Sequence, residues 1–138
     1  MSVNDFQITE HFNLKEFQCK CCEQVKIGHD LVFVIEELRK KLGLPIIVVS
    51  GYRCPNYNVT IGGAKDSYHV QGRASDIYTT AELNTICKTA KELGLTGIGK
   101  YPDDNFVHID NRDIECYWVK HKNKPYQYMS FEQLLKSK

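Results

Sequence analysis

The sequence predicts an α+β fold: a small, mainly antiparallel sheet with helices packed to one side, in one domain spanning residues 1–138. Three observations carry this. Apolar residues recur at helical spacing in two stretches, each closed by a glycine. Short β-branched or alternating runs, the pattern of strands, lie between and after them. Two of those runs flank Pro102-Asp103-Asp104-Asn105, a turn sequence that folds a hairpin.

The first helix covers 30–42, with Leu31, Val34, Ile35, Leu38 and Leu42 set against Glu36, Glu37, Arg39 and Lys40, and Gly43 as its stop. Pro45 then opens Ile46-Ile47-Val48-Val49, a continuous β-branched run that reads as a buried strand. Ser50-Gly51-Tyr52-Arg53 leaves that strand for a loop rich in Pro, Asn and Gly, and a long loop inside a compact domain is often functional. Segment 73–78 reads as a strand on which Asp76 shares a face with Ala74 and Tyr78. A second helix is expected over 80–93, capped by Thr79 with Glu82 completing a capping box. Leu83, Ile86, Cys87, Ala90 and Leu93 form its apolar face, and Gly94 ends it. Strands Gly97–Tyr101 and Phe106–Asp110 make the hairpin. A short strand near 115–119 and a final helix from Ser130, with Gln133 as capping partner, complete the pattern.

Composition narrows the function classes. A chain of 138 residues with 42% hydrophobic and 25% charged content can bury a core without external staples. Its net charge of +1, from 18 basic and 17 acidic residues, argues against a nucleic-acid binder. No stretch approaches the ~20 apolar residues of a membrane span. The first residues lack a basic and an apolar signal region, so no secretory signal is visible, and a monomer is expected. Six cysteines are many for such a chain. Without an export signal, reduced thiols are the default. Cys19, Cys21 and Cys22 cluster, and three readings stay open for them: free thiols, one disulfide, or a structural zinc completed by Cys54 or His29. Adjacent cysteines fit the usual Cys-x(2–4)-Cys pairing poorly.

Two segments carry the chemistry. Ser67-Tyr68-His69 through Asp76 and Phe106-Val107-His108-Ile109-Asp110 supply two imidazoles and a carboxylate. Three protein ligands plus water is the usual catalytic zinc arrangement. Strand alternation sets Val107 and Ile109 toward the core and leaves His108 facing a cleft, with Asp110 on the same face, its Cα roughly 6.5–7 Å away. Gly72 permits a tight turn after His69. Taken alone, a His-x-Asp on a strand also serves as a hydrogen-bonded surface pair, and His-x(6)-Asp arises by chance.

The combination resembles the M15 family of zinc peptidases, D-alanyl-D-alanine carboxypeptidases and peptidoglycan endopeptidases. The family pattern Ser-x-His-x(6)-Asp with a distal His is matched by Ser67, His69, Asp76 and His108. The likeness extends through Gly51-Tyr52-Arg53-Cys54-Pro55, Asn58, Gly62-Gly63-Ala64, Gly97-Ile98-Gly99 and Tyr101-Pro102, covering about residues 12–112. It is most similar to the compact single-domain branch that also occurs in phage and prophage lysis proteins, which points to action on the cell wall. The resemblance implies a hedgehog/D-Ala-D-Ala carboxypeptidase-like fold, zinc on His69, Asp76 and His108, a substrate carboxylate on Arg53, and a peptide hydrogen bond from Ser67. It also exposes a departure. The family's acidic base position, three residues before the last histidine, holds Asn105. Asp104 in the turn and Asp110 then compete as general base, Asp110 also fitting a role that orients a ligand histidine. Asn105 keeps an alternative open: a non-catalytic, zinc-containing binding module of the hedgehog type.

Overall fold

Gly28 caps helix α1 (His29–Leu42), which ends where the N–H of Gly43 returns to the Arg39 carbonyl. In the computed structural model, which describes residues 3–138, α1 is followed by β1 (Ile47–Ser50), α2 (Pro55–Thr60), β2 (Ala74–Tyr78) and α3 (Leu83–Glu92). Strands β3 (Gly97–Tyr101), β4 (Phe106–Asp110), β5 (Cys116–Val119) and β6 (Gln127–Met129) come next, and α4 (Phe131–Lys136) closes the order. The strands form one sheet in the order β1-β2-β4-β3-β5-β6, antiparallel except for the β3–β5 pair. The fold is therefore α+β with a mostly antiparallel sheet, as the sequence predicts.

One face of that sheet is core. Ile77, Ile98, Val107 and Ile109 pack with Leu31, Ile35 and Leu38 of α1, Ile86 and Ala90 of α3, and Leu134 of α4, all fully buried or nearly so. Lys100 also points to this side, where its ammonium donates to Asn84 Oδ1 (2.9 Å) and to the carbonyls of Leu134 (2.7 Å) and Ser137 (2.9 Å). Three hydrogen bonds make a buried cation tolerable and tie the end of α4 to the sheet. The opposite face carries a cross-strand row that is unbroken across the sheet: Ser50, Asp76, His108, Gly99, Trp118 and Tyr128 are successive ladder partners from β1 to β6.

Four local expectations are corrected. Strand β1 is not a buried strand but an edge of the sheet, with Ile47 exposed and the rest of the strand half-buried. Thr79 does not cap α3. Strand β2 runs through Tyr78, residues 79–82 carry the chain from sheet to helix, and Glu82 is the extended N-cap. The buried Thr79 hydroxyl has no hydrogen-bond partner among the described residues. Helix α2 lies inside the segment read as a loop. Its six residues are too few for a hydrophobic period, and its N-terminus is fixed by Pro55 and by the Cys54 sulfur, which accepts from the Tyr57 N–H at 3.4 Å. Strand β6, three residues long, is too short to show alternation. Helix α4 follows the N-cap Ser130, which makes the capping box to Gln133 that the sequence announces.

Candidate metal centre and cleft

The β2–β4 register sets Asp76 directly opposite His108. His69 reaches the same point from the turn between α2 and β2. There Ser67 Oγ accepts the His69 N–H (3.2 Å), and the Gly72 N–H donates to the His69 carbonyl (3.2 Å). Gly72 has φ 72°, and a Cβ at that position would collide with the Lys26 carbonyl, so glycine is required on both counts. His69 Nδ1 lies 2.8 Å from the Gly51 carbonyl. A carbonyl only accepts, so Nδ1 carries the proton and Nε2 presents its lone pair to Asp76 and His108.

The three converging atoms form a compact triangle. His69 Nε2 is 3.3 Å from Asp76 Oδ1 and 3.3 Å from His108 Nδ1, and His108 Nδ1 is 3.0 Å from Asp76 Oδ1. Nitrogen and oxygen ligands about 2.0–2.1 Å from a tetrahedral ion stand about 3.3 Å apart, so the spacing fits zinc. Charge fits as well. All three side chains are buried, and two imidazole lone pairs face each other beside a carboxylate, an arrangement that a shared cation stabilises. Burial opposes charge on His108, but its hydrogen bonds to Asp110 and Asp76 outweigh it and raise its pKa. Burial likewise opposes ionisation of Asp76, and the imidazoles of His69 and His108 overcome it, holding the carboxyl well below the usual range.

A second ring of residues orients the first. His108 Nε2 donates to Asp110 Oδ2 at 2.7 Å. Asp110 is fully buried, and Arg112 binds both its oxygens through Nε (2.9 and 3.2 Å) and through a terminal nitrogen at 2.6 Å. Both oxygens of Asp110 are thus held by His108 and Arg112, an arrangement that can fix the orientation of the His108 ring. Arg53 donates to Ser50 Oγ (3.1 Å), Asn58 Oδ1 (3.3 Å) and Asp76 Oδ2 (3.1 Å), so it holds the oxygen of Asp76 that does not face the histidines. These bonds use three of the five donors of a guanidinium, and Arg53 still lines the cleft.

The cleft above the triangle has a volume of about 470 Å³. One wall is aromatic. Tyr101 and Phe106 stack with centroids 4.3 Å apart, and the Trp118 indole donates to the Tyr101 hydroxyl at 3.2 Å. Arg112 spans the rings of Tyr68 and Trp118, at 4.5 and 5.0 Å from their centroids. Gly97 and Gly99 make this floor possible, because a Cβ on either would overlap the Asp110 carboxylate or the Trp118 indole. Ser67 lines the cleft, whereas Asp104 is outside its lining, pairing with Lys122 Nζ at 3.4 Å in the β3–β4 turn. Asn105 has φ 55° there, a left-handed conformation that asparagine tolerates better than most residues. The lining includes an acid that sequence reasoning missed: exposed Asp66, beside Ser67. Arg112 and Trp118 were also missed. Arg112 sits two residues past Asp110 as a hint, but nothing in the sequence places Trp118 across from Gly99.

A family model described as Peptidase M15 matches residues 10–110. The chain is 40% identical over 72 residues to the peptidoglycan L,D-endopeptidase MepK of Escherichia coli K12, a match covering 48% of this chain and 40% of that protein. It is 33% identical over 101 residues to the probable peptidoglycan L,D-endopeptidase MepK of Haemophilus influenzae, covering 67% of this chain and 54% of the relative. The match thus spans about half or less of the length of these curated relatives.

Proposed function

The chain belongs to the peptidase M15 family, and on that premise we propose that it is a zinc-dependent peptidase that hydrolyses the stem peptides of peptidoglycan, cutting at an internal L,D bond. The observation that carries this reading is the convergence of His69, Asp76 and His108 on one point at the floor of an open cleft. The relatives' names favour an endopeptidase over a carboxypeptidase. The hedgehog-like arrangement implied by the sequence belongs to the same proposal.

Bound by those three residues, zinc supplies a Lewis acid that polarises a carbonyl and brings the pKa of a coordinated water to roughly 7. The chain's own residues do the rest. Arg53, with two donors left, holds a stem carboxylate through charge-assisted hydrogen bonds. Ser67 offers its hydroxyl proton to the peptide while its oxygen supports the His69 turn. The wall of Tyr101, Phe106 and Trp118 excludes water and packs the aliphatic parts of the stem. Asp66 is the acid on the cleft wall free to exchange a proton with the scissile amide, and Asp104 is its competitor from the turn.

Incubating purified protein and added zinc with muropeptides, and reading products by mass spectrometry, tests the proposal. Internal stem cleavage is expected from the wild type and none from His108→Ala. Stoichiometric zinc with no turnover on any wall fragment would instead establish a binding module.

A further inference from the structure

Four of the cysteines stand together at the root of the loop that carries Arg53. Cys19, Cys21 and Cys22 follow the short 3-10 helix Leu14–Phe17, and Cys54 caps α2. Each contributes a sulfur to a group whose members all lie within 4.8 Å of one another, with Cys21 Sγ 3.5 Å from Cys54 Sγ. Four sulfurs about 2.3 Å from a tetrahedral zinc stand about 3.8 Å apart, so the group is near the size the ion requires. We propose that Cys19, Cys21, Cys22 and Cys54 bind a structural zinc ion, separate from the His69–Asp76–His108 centre, that clamps the N-terminal segment to the start of the cleft loop.

Backbone geometry resolves the difficulty of adjacent cysteines. Glu23 has φ 62°, its N–H donates to the Cys19 carbonyl (2.9 Å), and the Cys19 N–H donates to the Gln24 carbonyl (2.7 Å). This tight turn brings the three sulfurs of the segment to one side. The Cys54 N–H then donates to Cys19 Sγ and the Tyr57 N–H to Cys54 Sγ, each at 3.4 Å, as backbone amides do around metal-bound thiolates. Binding of a divalent ion there would release the thiol protons to solvent. Four thiolates favour a soft or borderline ion and leave no open position, the mark of a structural site.

The consequence reaches the cleft. The Tyr52 N–H donates to the Phe17 carbonyl at 2.8 Å, and a Cβ on Gly51 would overlap the Phe17 backbone. The segment so pinned contains the Gly51 carbonyl that orients His69 and leads directly into Arg53. Cobalt substitution of the whole chain, with absorption spectroscopy and metal counting, tests the site. Wild type and His108→Ala are both expected to show thiolate-to-cobalt charge-transfer bands in the near ultraviolet. The double variant Cys21→Ser, Cys22→Ser is expected to lose them, together with one equivalent of zinc. Absence of the bands from the wild type overturns the proposal, as does an unreduced intact mass showing disulfides in place of bound metal. The wild-type spectrum decides even if the cysteine variants fail to fold, and because His108→Ala reports on the other centre, failure of one site is distinguishable from failure of the other.

Discussion

His108 is gripped at both ring nitrogens: Nε2 by Asp110, which Arg112 holds in turn, and Nδ1 by the Asp76 edge of the His69–Asp76–His108 triangle. Its neighbours settle which nitrogen is available, so the ring cannot be replaced by another donor of similar size. His108→Ala is expected to lose the zinc of this centre, read by metal analysis. Proton transfer divides two other acids. Asp66→Asn is expected to lower kcat by roughly 10²-fold or more at unchanged zinc content, the usual contribution of a positioned acid or base. Asp104→Asn should change kcat little, because Asp104 is committed to Lys122 outside the cleft lining. The reverse ranking in steady-state assays would return the role to Asp104. That His69, Asp76 and His108 belong together was legible in the sequence through its resemblance to the M15 pattern, since their residue types and spacing alone also fit a surface pair. Asp66 was not, since an acid beside a serine in a polar loop has no signature until the cleft forms around it.

Elements matter here through what they leave out. Gly97 and Gly99 alternate on β3 beneath the site, and their missing side chains are the space that Asp110 and Trp118 occupy. Gly97→Ala should cost about 1–3 kcal/mol through overpacking. Displacement of the Asp110 carboxylate should also weaken zinc binding by about 10–100-fold, measured by competition with a chelator. On the other side of the molecule, α1 holds the N-terminal segment through Glu36. Its oxygens meet the His11 N–H (2.7 Å) and His11 Nδ1 (2.6 Å). Burial opposes ionisation of Glu36, yet the His11 hydrogen bonds prevail and lower its pKa. A carboxyl whose folded pKa is depressed stabilises the protein above its unfolded value, about 4.3, and that stability disappears as the pH falls through the folded pKa. Glu36→Gln should therefore flatten the fall in Tm below about pH 5. An equally steep fall in the variant would assign the acid sensitivity to other carboxyls. Helix α1 and the β3–β4 hairpin were visible in the sequence because each repeats its period long enough to be counted, whereas α2 and β6 are shorter than their own periods can declare.

For the whole molecule, the sheet divides labour between its faces: one packs against α1, α3 and α4, and the other carries the row from Ser50 to Tyr128. His108→Ala should abolish peptidase activity while the helical far-ultraviolet signal of α1 and α3 stays near that of the wild type, because their core does not include the His69–Asp76–His108 centre. Loss of that signal in the variant would mean that this centre supports the fold itself. Among the described residues no helix is long and apolar enough to cross a membrane. The sequence by itself determined the fold class, the long helix, the hairpin and, through its resemblance to a family pattern, which three side chains converge, because these rest on local period and on motif. Only the tertiary structure decided what surrounds them: that Asp110 turns to Arg112, that Arg53 steadies Asp76, that an aromatic wall flanks the cleft and that four cysteines share one point. Sequence hints exist for some of these, such as Arg112 two residues past Asp110 and the clustered cysteines, but which groups meet depends on strand order and register, which bring residues tens of positions apart into contact.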